Sequence, residues 1–144
     1  MKERLLKGWR PDGANRDFKV HLDGYNQLGY LTGKSDKSAR EDFYYFNDDG
    51  LLVAMRFENW KVVFCEQKAP GGFAVWKEPF VCLRVPKVFT LRMDPYERAD
   101  IVSDQYNDWL TKNAYLAFIG SAKAGEFLQT FIDWPPSQNP PSFS

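Results

Sequence analysis

The sequence is short of most things that catalysis or membrane insertion would need. It holds one histidine and two cysteines, and no net charge, with 19 basic residues against 19 acidic ones. A single histidine rules out a multi-histidine metal centre. Balanced charge leaves no whole-molecule field to draw in nucleic acid or an acidic membrane surface, so neither is expected as a partner. No run of eighteen apolar residues exists to span a bilayer. Met1–Lys7 is charged and has no apolar stretch of signal-peptide length, and the sequence leaves cytoplasmic and periplasmic locations both open. There is no glycine-rich phosphate loop, and no serine stands at motif spacing from a histidine or lysine. Cys65 and Cys82 lack metal-ligand spacing. They read as free, buried thiols, with one disulfide left open.

Aromatic residues, by contrast, are abundant, at 17% of the chain. They can fill a core or form a stacking surface for sugars or bases, and the sequence does not localise such a surface. The organising stretch is Phe43–Gln67. Phe43–Phe46 and Leu51–Glu58 flank Asn47-Asp48-Asp49-Gly50, and Lys61–Cys65 follows a break at Asn59-Trp60. Asp-Gly between apolar runs is a hairpin signal, because glycine accepts the positive φ of a tight turn. Alternation puts Leu51, Val53, Met55 and Phe57 on one face. Lys61–Cys65 is apolar on both faces and reads as a central strand.

Before the hairpin, residues 1–42 read as a connecting segment: a short helix over Lys2–Leu6, a strand over Phe18–Leu22, and helical spacing from Tyr25 to Leu31 closed by Gly33. After it, Pro70-Gly71-Gly72 turns into a short strand Phe73–Trp76. Phe80–Val85, between Pro79 and Pro86, reads as a loop or edge, and Val88–Arg92 as a last strand. Ser103 is the expected cap of a helix carrying Tyr106, Trp109, Leu110, Ala114 and Ala117 and closed by Gly120. Ser121 opens another, with Ala124, Phe127, Leu128, Phe131 and Ile132 as its stripe. Residues 43–134 thus form an antiparallel sheet with C-terminal helices packed on one face, an α+β fold, and 135–144 a proline-rich tail.

Candidate chemistry is sparse. His21 sits two residues before Asp23, a spacing at which a carboxylate can orient a general base. Asp48 and Asp49 could ligate a hard cation, but their Asp-Gly context points to turn chemistry.

Four stretches, taken in order, resemble the C-terminal portion of bacterial arylsulfatases, the formylglycine-dependent sulfatases. These are His21-Leu22-Asp23-Gly24-Tyr25-Asn26-Gln27 with Tyr30-Leu31-Thr32-Gly33; Arg40 to Gly50; Arg56-Phe57-Glu58-Asn59-Trp60-Lys61-Val62-Val63-Phe64; and Phe89 to Asp100, with its Asp94-Pro95-Tyr96-Glu97. The resemblance implies a roughly four-stranded sheet with a helix, packed on a large catalytic domain. It implies parent cofactors as well: a formylglycine matured from Cys/Ser-x-Pro-x-Arg, and calcium or magnesium. Neither cysteine fits that motif, and the family's metal ligands lie upstream of anything in this chain, so no cofactor is expected here and the chain alone is expected to be inactive. The implied partner is a sulfatase catalytic domain, with self-association through exposed apolar surface if that partner is missing. Residues His21, Asp23, Tyr25 and Asn26 are the expected contributors to a substrate cleft. Two other readings stay open: a stand-alone aromatic-rich module binding carbohydrate or protein, and a small enzyme using His21 and Asp23.

Overall fold

Asn47 starts the sheet. In the computed structural model, which describes residues 1–135, its side-chain oxygen accepts from the main-chain N–H of Leu51 at 2.8 Å and of Asp49 at 3.1 Å. With Gly50 at φ 76°, this closes the turn between β1 (Asp42–Phe46) and β2 (Leu52–Phe57). β3 (Trp60–Gln67) and β4 (Phe80–Thr90) complete a four-stranded antiparallel sheet in the order β1-β2-β3-β4. The α+β expectation holds, with most of the helix C-terminal to the sheet: α3 (Ala99–Val102), α4 (Tyr106–Lys112) and α5 (Ala114–Asp133).

The chain divides into two compact units. The larger is Glu41–Glu126 and contains the sheet. The other is Met1–Arg40 together with residues 127–135, and holds α1 (Lys2–Lys7) and α2 (Leu28–Leu31). The expected strand at Phe18–Leu22 reduces there to one antiparallel bridge, Trp9 with Phe18. Apart from Pro135, the tail 135–144 lies outside the described residues. Among those residues, no helix is long and apolar enough to cross a membrane.

In the sheet unit, the core is Leu52, Met55, Phe57, Val62 and Val88 on the sheet, and Leu116, Ala117 and Ala124 on α5. The alternation predicted for β2 holds at Met55 and Phe57 and fails at its start, where Leu51 is exposed and Leu52 buried. A bulge is the cause. Tyr45 pairs with Ala54 but Phe46 with Leu52, so Val53 is an extra residue and everything before it changes face.

The region read as a loop or edge is an edge: β4 runs straight through it at one side of the sheet. Val63 pairs with Lys87 and Cys65 with Cys82, so residues 83–86 all bulge opposite Phe64. Pro86 sits in that bulge on an edge strand, where its missing N–H breaks no ladder. The same register sets Cys65 opposite Cys82 with Cα atoms 3.9 Å apart, and they form a disulfide instead of the expected free thiols. Nor is Phe73–Trp76 a strand. Gly71 and Gly72 adopt φ of 102° and 58°, and the chain coils into a 3-10 helix over Gly72–Trp76.

The helices also break in a different place. Asn113, not Gly120, ends α4: its side-chain amide donates to the carbonyl of Trp109 at 2.8 Å, and its own carbonyl accepts from the N–H of Leu116 in the first turn of α5. Ser103 is the C-cap of α3, and no side chain caps α4. Gly120 lies inside α5 because the helix rests on the sheet there. A Cβ at Gly120 would stand 2.6 Å from Cγ2 and 3.1 Å from Cβ of Val62, a fully buried β-branched side chain with no room to turn.

These contacts set two substitutions in one helix against each other. Alanine favours a helix interior over glycine by about 1 kcal/mol, so Gly125→Ala, where nothing lies within 4 Å, should raise stability by up to about that amount. Gly120→Ala should lower it by about 1–2 kcal/mol, because overpacking costs more than the propensity gain. Urea unfolding of both variants checks the sign of each.

Candidate functional site

His21 and Asp23 do meet. His21 Nδ1 lies 2.9 Å from Asp23 Oδ1, both side chains being partly exposed. The imidazole stands 6.1 Å from the indole of Trp134, over which Lys19 Nζ sits at 5.0 Å. Tyr25 is engaged differently, its half-exposed ring lying 5.2 Å from Lys2 Nζ and 5.9 Å from the Arg40 guanidinium. Asn26 acts locally. Its Oδ1 accepts from the Leu28 N–H at 3.0 Å, an Asx turn that starts α2. Of the four residues predicted for a cleft, two thus form a hydrogen-bonded pair, one has two cations near its ring, and one closes an Asx turn ahead of a short helix. An imidazole held by a carboxylate can move a proton.

The larger unit carries a constellation that sequence reasoning missed. A half-open cleft of ≈540 Å³ is walled by Val85, Leu110, Ala114 and Ala117, with Lys87, Asp100 and Tyr106 at its polar side. Lys87 Nζ is 2.6 Å from Asp100 Oδ2 and pairs also with Glu66. The Tyr106 hydroxyl donates to the Val88 carbonyl and accepts from the Val88 N–H, each at 3.1 Å. One phenol therefore satisfies both main-chain groups of an edge-strand residue. The Tyr106 ring stacks on Phe89 at 5.9 Å and lies 6.2 Å from Trp109, which stacks on Trp60 at 6.3 Å.

The electrostatics follow from these contacts. The hydrogen bond from Lys87 holds the Glu66 carboxyl below its usual range, against the burial that would raise it. For Lys87, burial is the largest single influence and pushes the ammonium down, but Asp100 and Glu66 together outweigh it and keep it above the ordinary lysine value. Burial raises the Tyr106 phenol, with the Val88 hydrogen bond opposing. Lys87 faces two carboxylates, so the trio carries a net negative charge and does not suit an anionic ligand. Its members lie at 66, 87 and 100, separations at which no local pattern signals a contact.

The acidic residues of the Asp94–Glu97 stretch also serve structure. Asp94 accepts from the N–H groups of Arg98 and Ala99, starting α3. Glu97, at φ 55°, binds Lys61 Nζ at 2.7 Å, and that ammonium also lies 4.8 Å from the Tyr45 ring.

The trio makes stability depend on pH at both ends. A lowered Glu66 contributes stability that is present above the ordinary carboxylate range and lost as pH falls through its folded value. A raised Lys87 contributes stability below the ordinary lysine range that is lost as pH climbs through its folded value. Exposed pairs contribute about 0–1 kcal/mol and breaking a buried one costs about 3–5; these side chains are 12–26% exposed. Lys87→Met should therefore cost about 2 kcal/mol at neutral pH and flatten the acid limb of a plot of urea midpoint against pH.

No family model matches the chain, and no curated protein does. Among solved structures it is similar to the crystal structure of PsFucS1 sulfatase from Pseudoalteromonas sp., with a TM-score of 0.61 and 21% identity. The match covers 83% of this chain and 23% of that one. The chain therefore has the fold of one segment of a sulfatase, and spans less than a quarter of that protein's length.

Proposed function

We propose that this chain is the non-catalytic C-terminal subdomain of an arylsulfatase-like sulfuric ester hydrolase, and that it completes the fold and substrate cleft of its parent. The observation that carries the reading is the asymmetric coverage: most of this chain superposes on a small fraction of a sulfatase. The order of the sequence stretches from His21 to Asp100 supports the C-terminal placement.

The chain's own side chains do not fit the parent's reactive groups. Both cysteines are joined in a disulfide, so neither is a formylglycine precursor. Among the described residues, no group of three or more His, Cys, Asp or Glu side chains could hold a metal. On this reading the nucleophile and the calcium or magnesium belong to a catalytic domain that is this chain's partner. His21 and Asp23 would face the cleft as a hydrogen-bonded pair, and Tyr25 would lie beside them with Lys2 and Arg40 at its ring. Asn26 would act through the start of α2. Exposed Tyr115, Phe118 and Ile119 on α5 supply apolar surface for a domain contact, or for self-association when that contact is missing.

The test is complementation. The parent's catalytic domain, expressed without this segment, should hydrolyse an aryl sulfate slowly and gain at least tenfold when this chain is added. His21→Ala should keep the complex, as read by size-exclusion chromatography, and lose most of the gain. A complex that forms with no gain in rate would refute the cleft role, and failure to associate would refute the subdomain assignment.

A further inference from the structure

Beyond the bulge at residues 83–86, β3 and β4 run on as an arm, residues 66–81, with the 3-10 helix at its tip. None of its residues is buried, and Phe73 and Trp76 are 81% and 77% exposed. Its ladder is two pairs long, Glu66 with Val81 and Gln67 with Phe80. Gln67 Nε2 donates to the carbonyls of Val75, at 2.8 Å, and Glu78. The Ala74 carbonyl accepts from the N–H groups of Lys77 and Glu78, each at 3.0 Å. Those bonds stay inside the arm, as does the pair of Lys68 with Glu66. Two ties fix its base: the ion pair of Glu66 with Lys87, and the Cys65–Cys82 disulfide. A bond that closes such an arm braces nothing the core needs. Segments without buried apolar contacts open locally at little free-energy cost, so the disulfide decides whether this one stays closed. The two cysteines are also unequal. Cys65 is 5% exposed, whereas Cys82 is open to solvent. A thiolate from solvent therefore meets Cys82 first, and exposed disulfides are more readily reduced than structural ones.

We propose that Cys65–Cys82 is a redox switch: a thiol reductant opens it from the Cys82 side and frees the arm while the rest of the sheet stays folded. The step is thiol–disulfide exchange. A thiolate of a dithiol reductant attacks the Cys82 sulfur, the bond to Cys65 breaks, and Cys65 leaves as a thiolate that takes up a proton. The reductant's second thiolate then attacks the mixed disulfide and releases Cys82. The chain gains two electrons and two protons, and the dithiol becomes a disulfide. With the arm free, Glu66 leaves Lys87, which keeps Asp100, so the polar side of the cleft changes with redox state. The switch stands apart from the sulfatase reading, since it needs no catalytic domain.

Hydrogen–deuterium exchange of the whole chain, read by mass spectrometry before and after dithiothreitol in native buffer, tests the proposal. Both cysteines should become open to iodoacetamide. The amides of 66–81 should exchange at least tenfold faster, with β2 and residues 60–63 unchanged. Oxidised glutathione should restore the slow rates, and Cys82→Ser should reproduce the reduced pattern. Glu66, followed by NMR, should titrate nearer the ordinary carboxylate range once the bond is open. A disulfide that resists dithiothreitol until urea is added overturns the switch. So does an arm that exchanges no faster when reduced, or a sheet that exchanges faster throughout, the mark of a structural staple. Faster exchange in the arm while Glu66 keeps its lowered titration overturns the link to the cleft. Because no hydrolysis is measured, this outcome and that of the complementation assay are independent.

Discussion

The seat of α5 on the sheet, Gly120 against Val62, is the contact on which the larger unit depends. The helix approaches close enough that a single methyl group would collide with a fully buried valine. That distance brings Leu116, Ala117 and Ala124 down onto Met55, Val62 and Val88, and small residues on the helix face answer large ones on the strands. Close packing of this kind leaves no slack, so the position that reads as a helix breaker in isolation becomes the one position where the helix must have no side chain.

A second constraint is the management of β4 as an edge. An uncovered edge strand offers its main-chain groups to any passing chain. Here the strand is bulged around Pro86, tied to β3 by the disulfide, and satisfied at Val88 by the Tyr106 hydroxyl. The same tyrosine starts α4 and stacks on Phe89, so edge protection, helix placement and the wall of the cleft share one residue. Lys87 adds an ionic clamp from β4 to Glu66 on β3 and to Asp100 in α3. This cleft is held by structural bonds, and its charged groups are engaged with one another.

Much of this architecture is legible in residue order. The Asn47–Gly50 turn, the central position of the third strand and the α+β class all follow from local signals: glycine at a positive-φ position, two apolar faces, and periods of 2 and 3.6. His21 with Asp23 is legible too, because a separation of two residues in extended chain permits a side-chain bond. The misses share a different cause. The start of β2 inverts at a bulge, and a bulge arises from what the partner strand offers. The Phe73–Trp76 run has the composition of a strand, but two preceding glycines turn it into a 3-10 helix.

By itself, then, the sequence determined the class of fold, the hairpin at its centre and the amphipathic helices behind it, since each is written in the spacing of neighbouring residues. Tertiary structure alone decided the pairing of Cys65 with Cys82, the Lys87 trio, the uninterrupted α5 and the exposure of Phe73 and Trp76. Each of these rests on strand register or on one element's approach to another. Those are long-range quantities, fixed when the chain closes on itself, and no local pattern carries them.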